Sequence, residues 1–215
     1  MSVPQNLTEA VEGIIKNKGE LFSSFDVNAF EVPGGRDELW RFTPLKRLRG
    51  LHDGSAPATG HAHIAVAEGP VARGTEVAEP IEITIDGPGA GAVAYGHLQI
   101  RVEELARAIV VVDLRGSGTY ADNVEIIVGD AAGLGVIWIA DWDDDMAPVS
   151  AHHAQRGKDA VLGHANVTLG GEVVRTTATV RFTGPGGDAK LLGTYFADDG
   201  QHFESRLLVD HAQPN

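Results

Sequence analysis

Residues 174–182 read VRTTATVRF, and in this stretch side chains of two kinds alternate along the chain. One face carries Val174, Thr176, Ala178, Val180 and Phe182. The other face carries Arg175, Thr177, Thr179 and Arg181. A period of two, with β-branched residues on both faces, predicts a strand that buries one face.

Turn-forming clusters interrupt the chain on both sides of this strand. They lie at residues 116–118, 129–135, 143–148, 156–159, 170–171, 184–187 and 198–200. The intervals of roughly 12 to 15 residues are typical of short strands in a solenoid, a sandwich or a barrel. A β-solenoid fits them well, because each coil needs inward apolar residues and corner turns but no fixed motif.

The remaining segments are predicted from their own patterns. Apolar residues at helical spacing predict amphipathic helices over 6–18 and 20–30, which we expect to cover the open end of the stack. Further strands are predicted at 63–67, 81–85, 109–112, 124–128 and 134–140, and a short helix at 102–108. The apolar run Ile109–Val112 predicts a strand buried on both faces.

Composition limits the classes of function. The chain has 215 residues and a formal net charge of −13, which disfavours nucleic acid and anionic membranes as partners. The sequence shows neither a signal peptide nor a membrane span, so we expect a cytoplasmic protein. With no cysteine, the chain has no thiolate nucleophile and no thiolate ligand for an iron–sulfur cluster.

An acidic run lies shortly before two histidines. Asp141 and Asp143–Asp145 precede His152 and His153, and carboxylates with imidazoles are ligands for divalent metals. Pro148 and an unpatterned loop separate the two groups, and their spacing matches no known ligand set. We therefore interpret the run as a solvated acidic turn and leave a metal site as the alternative.

Three other histidines lie in or beside predicted strands. Stacked coils align residues that are far apart in sequence, so His164, His202 and His211 are candidates for one shared metal site. Exposed or hydrogen-bonded histidines are the commoner outcome. Neither Gly157-Lys158 nor the glycines at 87–91 give a phosphate-binding pattern. The sequence thus predicts no catalytic and no cofactor-binding residue, and it leaves metal ligands undetermined.

Residues 38–45 read ELWRFTPL, with two aromatic residues around Arg41. We expect Trp40 and Phe42 to anchor a turn to the main body, with Arg41 paired to Glu38 or Asp37; a binding platform is the alternative. The segment resembles a signature near the start of SufD-type proteins, which are subunits of the SUF iron–sulfur cluster assembly machinery. The tail, residues 193–215, is similar to a strand region that SufB and SufD share.

The resemblance implies a mainly β fold: a right-handed parallel β-helix, or β-solenoid, with an N-terminal helical segment. We divide the chain into that helical segment with the Trp motif (1–50), an irregular linker (51–80) and an incomplete β-helix core (81–215). The resemblance also implies a truncated chain, because later coils and C-terminal helices have no counterpart before Asn215. His211 matches a turn position of the family core, so no family site residue is carried over.

For function, the resemblance implies a non-catalytic scaffold subunit that pairs with a SufB-like subunit and a SufC-like ATPase. The full complex assembles the iron–sulfur cluster, this chain binds no cofactor of its own, and the main partner contacts lie beyond it. Two alternatives remain open. One is a β-helix enzyme acting on polysaccharides through the carboxylates Asp141–Asp145. The other is a metal-binding β module that uses His164, His202 and His211.

Overall fold

The computed structural model describes residues 29–59, 70–211 and 213. The chain divides into two compact units, residues 1–31 and 32–215, and the description below concerns the second. The helix predicted at 6–18, nearly all of that at 20–30 and the strand predicted at 63–67 lie outside the described residues. Within the described residues, no helix is both long enough and apolar enough to span a bilayer.

Ten strands and one short 3₁₀ helix, Leu45–Leu48, make up the regular structure of this unit. The strands are β1 Ile81–Asp86, β2 Val93–Val102, β3 Arg107–Gly116, β4 Thr119–Val128, β5 Gly133–Trp142, β6 Ala147–Arg156, β7 Val161–Thr168, β8 Val173–Phe182, β9 Asp188–Tyr195 and β10 His202–Asp210. The strands predicted at 81–85, 124–128, 134–140 and 174–182 are confirmed.

The strands form two five-stranded sheets in which all pairs are parallel. Sheet I has the order β10-β8-β6-β4-β2 and sheet II the order β1-β3-β5-β7-β9. Successive strands alternate between the sheets, so each coil contributes one strand to each sheet. Leu134 pairs with Leu162, 28 residues later, which is one full coil. The fold is therefore a β-solenoid of about five coils, as predicted; its right hand stays a prediction.

The core lies between the two sheets, and the period of two decides which side chains enter it. In β8, Val174, Thr176, Ala178, Val180 and Phe182 are all buried, as the alternation predicted. Side chains from successive coils lie above one another because parallel strands pair in register. The interior is apolar over most of its length, and three of its polar side chains form the hydrogen-bonded chain described below.

Two predictions around β3 are wrong. Residues 102–108 form no helix: Val102 ends β2, a turn follows, and Arg107 begins β3. Leu105 has a φ of 63°, which is incompatible with a right-handed helix. The run Ile109–Val112 is not buried on both faces, since Ile109 is 48% exposed. Successive side chains of β3 alternate between the two faces of sheet II, so only every second one points into the core, and the outward ones are exposed or half-buried.

The last described coil leaves apolar side chains uncovered. Strands β9 and β10 each pair along one edge only within the described residues. Leu192, Tyr195 and Leu207 are more than half exposed. Within the described residues, this end of the stack therefore exposes strand edges together with apolar side chains.

Glycines at one corner allow the coils to stack closely. Gly129 and Gly157 follow directly after β4 and β6. A Cβ atom on Gly129 would lie 2.6 Å from the backbone nitrogen of Glu104 in the preceding coil. Any larger residue at this corner must therefore push two backbone segments apart.

We expect Gly129→Ala to lower the free energy of unfolding by about 1–3 kcal/mol, the usual cost of overpacking. Gly163→Ala is the matched control, because a Cβ there meets no atom within 4 Å and its φ is not positive. The control should be neutral or stabilising by up to about 1 kcal/mol. Urea denaturation measures both changes, and equal losses in the two variants would contradict the stacking argument.

Candidate functional site

The acidic run spans the end of β5 and the exposed corner between β5 and β6. Asp141 and Asp143–Asp145 are exposed, as expected of a solvated turn. His152 is buried in the core, whereas His153 points outward from the same strand. Among residues 29–59 and 70–211, no three histidine, aspartate or glutamate side chains are grouped so that they could hold a metal ion.

The three histidines predicted as a candidate group have different surroundings. His164 is buried on β7, and His202 begins β10 opposite Val173 of β8. His211 stacks on Phe182, with the ring centroids 4.5 Å apart. Of these three, only His164 has another histidine as a hydrogen-bond partner.

That partner is His152, from the opposite sheet. His152 Nδ1 lies 2.9 Å from His164 Nε2, and His152 Nε2 lies 2.7 Å from the hydroxyl of Ser150. The edge of Trp138 packs against His152, with the ring centroids 4.3 Å apart. The three polar side chains therefore form one continuous hydrogen-bonded chain across the core.

Burial keeps both imidazoles of this chain neutral. It holds the pKa of His152 well below the ordinary 6.5, and the neighbouring His164 lowers that pKa further. Burial also lowers the pKa of His164 to about 4. With one hydrogen on each ring, the two imidazoles can donate and accept along the chain without a charge.

The sequence contains a signal for this pair that its analysis missed. On β6, Ser150 and His152 are an even number of residues away from Ala154 and Arg156, whose side chains also point inward. His164 has the inward parity of Leu162 and Asn166 on β7. Counting the period of two through these strands places both histidines in the core.

A second polar site lies on the outer face of sheet I, beneath residues 37–49, which we call the clasp. Arg175 is its central residue: it donates to the Thr43 hydroxyl at 2.8 Å and to the Leu39 carbonyl at 2.9 Å. Its guanidinium lies 4.0 Å from the centroid of the Trp40 ring and pairs with Glu204 of β10. Arg206 of β10 also donates to the carbonyls of Glu38 and Leu39, so the clasp is bound to two neighbouring strands, β8 and β10.

Electrostatics favour the charged form of Glu204 in this site. Burial alone would raise the pKa of Glu204, but hydrogen bonds from Thr43 and Arg175 outweigh burial and hold the pKa below its ordinary value. Farther along the clasp, Arg47 and Arg49 both pair with Glu172, which precedes β8. The clasp is therefore held by ion pairs at two points.

The prediction for the Trp motif is half right. Trp40 anchors the clasp through Arg175, but Phe42 is 70% exposed and anchors nothing. In the described part of the chain, Arg41 forms no ion pair with Glu38 or Asp37, and its guanidinium lies 5.4 Å from the centroid of the Phe42 ring. Trp40 of the motif is thus the packing surface for Arg175, which lies 135 residues later in the sequence.

Comparisons with known proteins give a consistent result. Residues 84–215 match the family model described as SUF system FeS cluster assembly, SufBD core domain. Iron–sulfur cluster assembly SufBD family proteins of Mycobacterium bovis and Mycobacterium tuberculosis are 59% identical over 254 aligned residues, which cover 100% of this chain and 64% of theirs. The Mycobacterium leprae relative is 58% identical over 248 residues, or 96% of this chain and 63% of its own.

The chain thus spans slightly less than two thirds of the length of these curated relatives. No solved structure was found to match it.

Proposed function

The chain belongs to the SufBD family of SUF-system iron–sulfur cluster assembly proteins, and on this premise we propose that it is a SufD-type scaffold subunit. The observation that carries the proposal is the extent of the family match. Residues 84–215 include nine of the ten strands completely and half of β1. What the family shares is therefore the stack of coils.

Two further features support the SufD subtype and a scaffold role. The ELWRFTPL segment resembles the SufD-type signature, and in this structure it fastens the clasp to β8 and β10. The interior of the coils is filled by side chains, and three of its polar side chains are hydrogen-bonded to one another. A stack of coils with a filled core, to which the clasp is fastened, is suited to presenting surfaces to other subunits.

The partners and location follow from the same proposal. We expect a SufB-like subunit and a SufC-like ATPase as partners, with the cluster assembled by the complex and this subunit acting without catalysis of its own. The chain is then a cytoplasmic protein. The curated relatives are named as assembly proteins, which agrees with this role.

Co-expression of the tagged full-length gene product with the SufB-like and SufC-like subunits from the same genome tests the proposal. We expect one stoichiometric complex in size-exclusion chromatography with light scattering, and ATP hydrolysis only when the SufC-like subunit is present. The SufC-like subunit alone and this protein alone are the controls. Failure of the three chains to associate, or ATP hydrolysis by this protein alone, would overturn the assignment.

A further inference from the structure

The buried polar chain has a fourth member, the carboxyl group of Asp122. Asp122 lies on β4 directly beside Ser150 of β6 in the register of sheet I, and its residue is 8% exposed. Among the described residues, neither carboxyl oxygen has a partner at good hydrogen-bond geometry, although the hydroxyls of Ser150 and Tyr120 lie near enough to lower its pKa. A buried carboxyl group without such a partner is costly and requires an explanation.

The space around this carboxyl group offers one. A cavity of about 10 Å³ is bordered by Asp122, Tyr120, Ser150, Trp138 and Thr176. That volume is just sufficient for one water molecule. A water there can accept from or donate to the carboxyl group and the Ser150 hydroxyl, and so join Asp122 to the histidine pair.

We infer that Asp122, one water in this cavity, Ser150, His152 and His164 form a buried relay that carries a single proton. When Asp122 holds the proton, it donates through the water to the Ser150 hydroxyl. Ser150 then donates to His152 Nε2, and His152 Nδ1–H donates to His164 Nε2. Every hydrogen in this state points away from the carboxyl group.

Moving one proton along the relay reverses the direction of every hydrogen bond. Asp122 loses its proton to the water, which passes a proton to Ser150; Ser150 passes its own to His152 Nε2. His152 Nδ1 in turn releases its proton to His164 Nε2. His164 then gives up the hydrogen of its Nδ1 to solvent, so the cluster as a whole loses the one proton that Asp122 held, and both imidazoles end neutral with their hydrogens on the opposite ring nitrogens.

Few other groups that could hold the proton face the cavity. It is lined otherwise by apolar side chains of β3, β5, β6 and β8, by Thr176 of β8 and by the Tyr120 hydroxyl. Gly96 of β2 contributes no side chain beside Asp122. His153, outward on β6, is the one further imidazole that influences His152. Burial raises the pKa of Asp122 to about 7, against the hydroxyls of Ser150 and Tyr120, which lower it.

Nuclear magnetic resonance of the intact protein tests the relay directly. The ¹³C shift of the Asp122 carboxyl and the ¹⁵N shifts of His152 and His164 are followed from pH 5 to 9. We expect all three to change with one shared midpoint near pH 7. A carboxyl midpoint near 4, or histidine shifts with midpoints unrelated to that of Asp122, would overturn the relay.

Two substitutions of Ser150 test whether this residue connects Asp122 to the histidines. In Ser150→Ala the carboxyl of Asp122 should still titrate near neutrality, but the histidine shifts should no longer follow it, whereas Ser150→Thr should retain the coupling. Asp141→Asn, at the exposed end of β5, should leave the histidine shifts unchanged. Histidine shifts that still follow Asp122 in Ser150→Ala would overturn the order of the relay.

The bound water is tested separately. A nuclear Overhauser cross-peak is expected between water and the ring protons of Trp138 or Tyr120, and its absence would remove the link between Asp122 and Ser150. The wild-type titration needs no substitution, so the inference is decided even if a core variant fails to fold. It does not depend on the proposed function.

Discussion

Arg175→Ala is expected to lower the free energy of unfolding by about 3–5 kcal/mol, the usual loss when one partner of a buried ion pair is removed. The side chains of Arg175 and Glu204 are only 5% and 12% exposed. Without the guanidinium, the carboxylate of Glu204 stays buried with Arg206, 3.5 Å away, as its remaining cation. Thr43 also loses its donor, whereas the Leu39 carbonyl keeps a hydrogen bond from Arg206. Urea denaturation at pH 7 measures the change.

The same strand provides a matched control. Arg181 is also on the outer face of β8, and its Nε lies 3.5 Å from Asp210 of β10, so the pair repeats the arrangement of Arg175 and Glu204. Its side chains are 59% and 40% exposed. Arg181→Ala should therefore cost less than about 1 kcal/mol. Similar losses in the two variants would mean that the clasp does not bury Arg175.

Arg175→Lys distinguishes charge from geometry. A lysine keeps the charge near Glu204, but its compact ammonium cannot match the planar fork that bonds Thr43 and Leu39 while stacking on Trp40. We expect an intermediate loss of stability. A variant as stable as the wild type would show that charge alone holds the clasp.

Arg175 also shows what the sequence could not reveal about the fold. The alternation in residues 174–182 predicts the inner face of β8 correctly, because inward parity is a local property of a strand. The same alternation places Arg175 among exposed polar residues, yet it is 4% exposed. Its cover comes from residues 39–43, and no local pattern encodes which outward position a distant segment will cover.

The histidines show the same limit for the candidate site. Parity predicts that His152 and His164 point inward, but their contact requires that β6 and β7 face each other across the core. The spacing of the turns gives the length of each strand-and-turn unit, which is half a coil. Which residues meet across the core becomes known only from the observed pairing of the strands. Among the described residues, the members of the candidate groups are not assembled into a metal site, because those groups joined residues by proximity in the chain or by type, whereas the fold joins residues by strand face and coil.

The buried Asp122 makes the free energy of unfolding depend on pH. Its folded pKa, about 7, exceeds the ordinary 3.8, so its contribution is full below pH 4 and is lost as the pH rises towards 7. The buried histidines act in the opposite sense. Their folded pKa values lie below 6.5, so their contribution is present above that pH and is lost as the pH falls.

Counting protons gives the expected slope. Around pH 5 to 6 the unfolded chain binds about two protons on His152 and His164 and none on Asp122, whereas the folded cluster binds one, on Asp122. Unfolding then takes up about one proton. The free energy of unfolding should fall by about 1.4 kcal/mol for this cluster when the pH is lowered by one unit.

Asp122→Asn should double that slope. Asparagine has the shape of the protonated carboxyl group but binds no proton, so unfolding of the variant takes up about two protons and the slope becomes about 2.7 kcal/mol per pH unit. Asp141→Asn, at the exposed end of β5, controls for the loss of a carboxylate outside the core. Urea denaturation at several values between pH 5 and 6 measures all three slopes. Parallel lines for Asp122→Asn and the wild type would show that Asp122 is ionised in the folded protein, because a carboxylate in both states contributes no proton uptake.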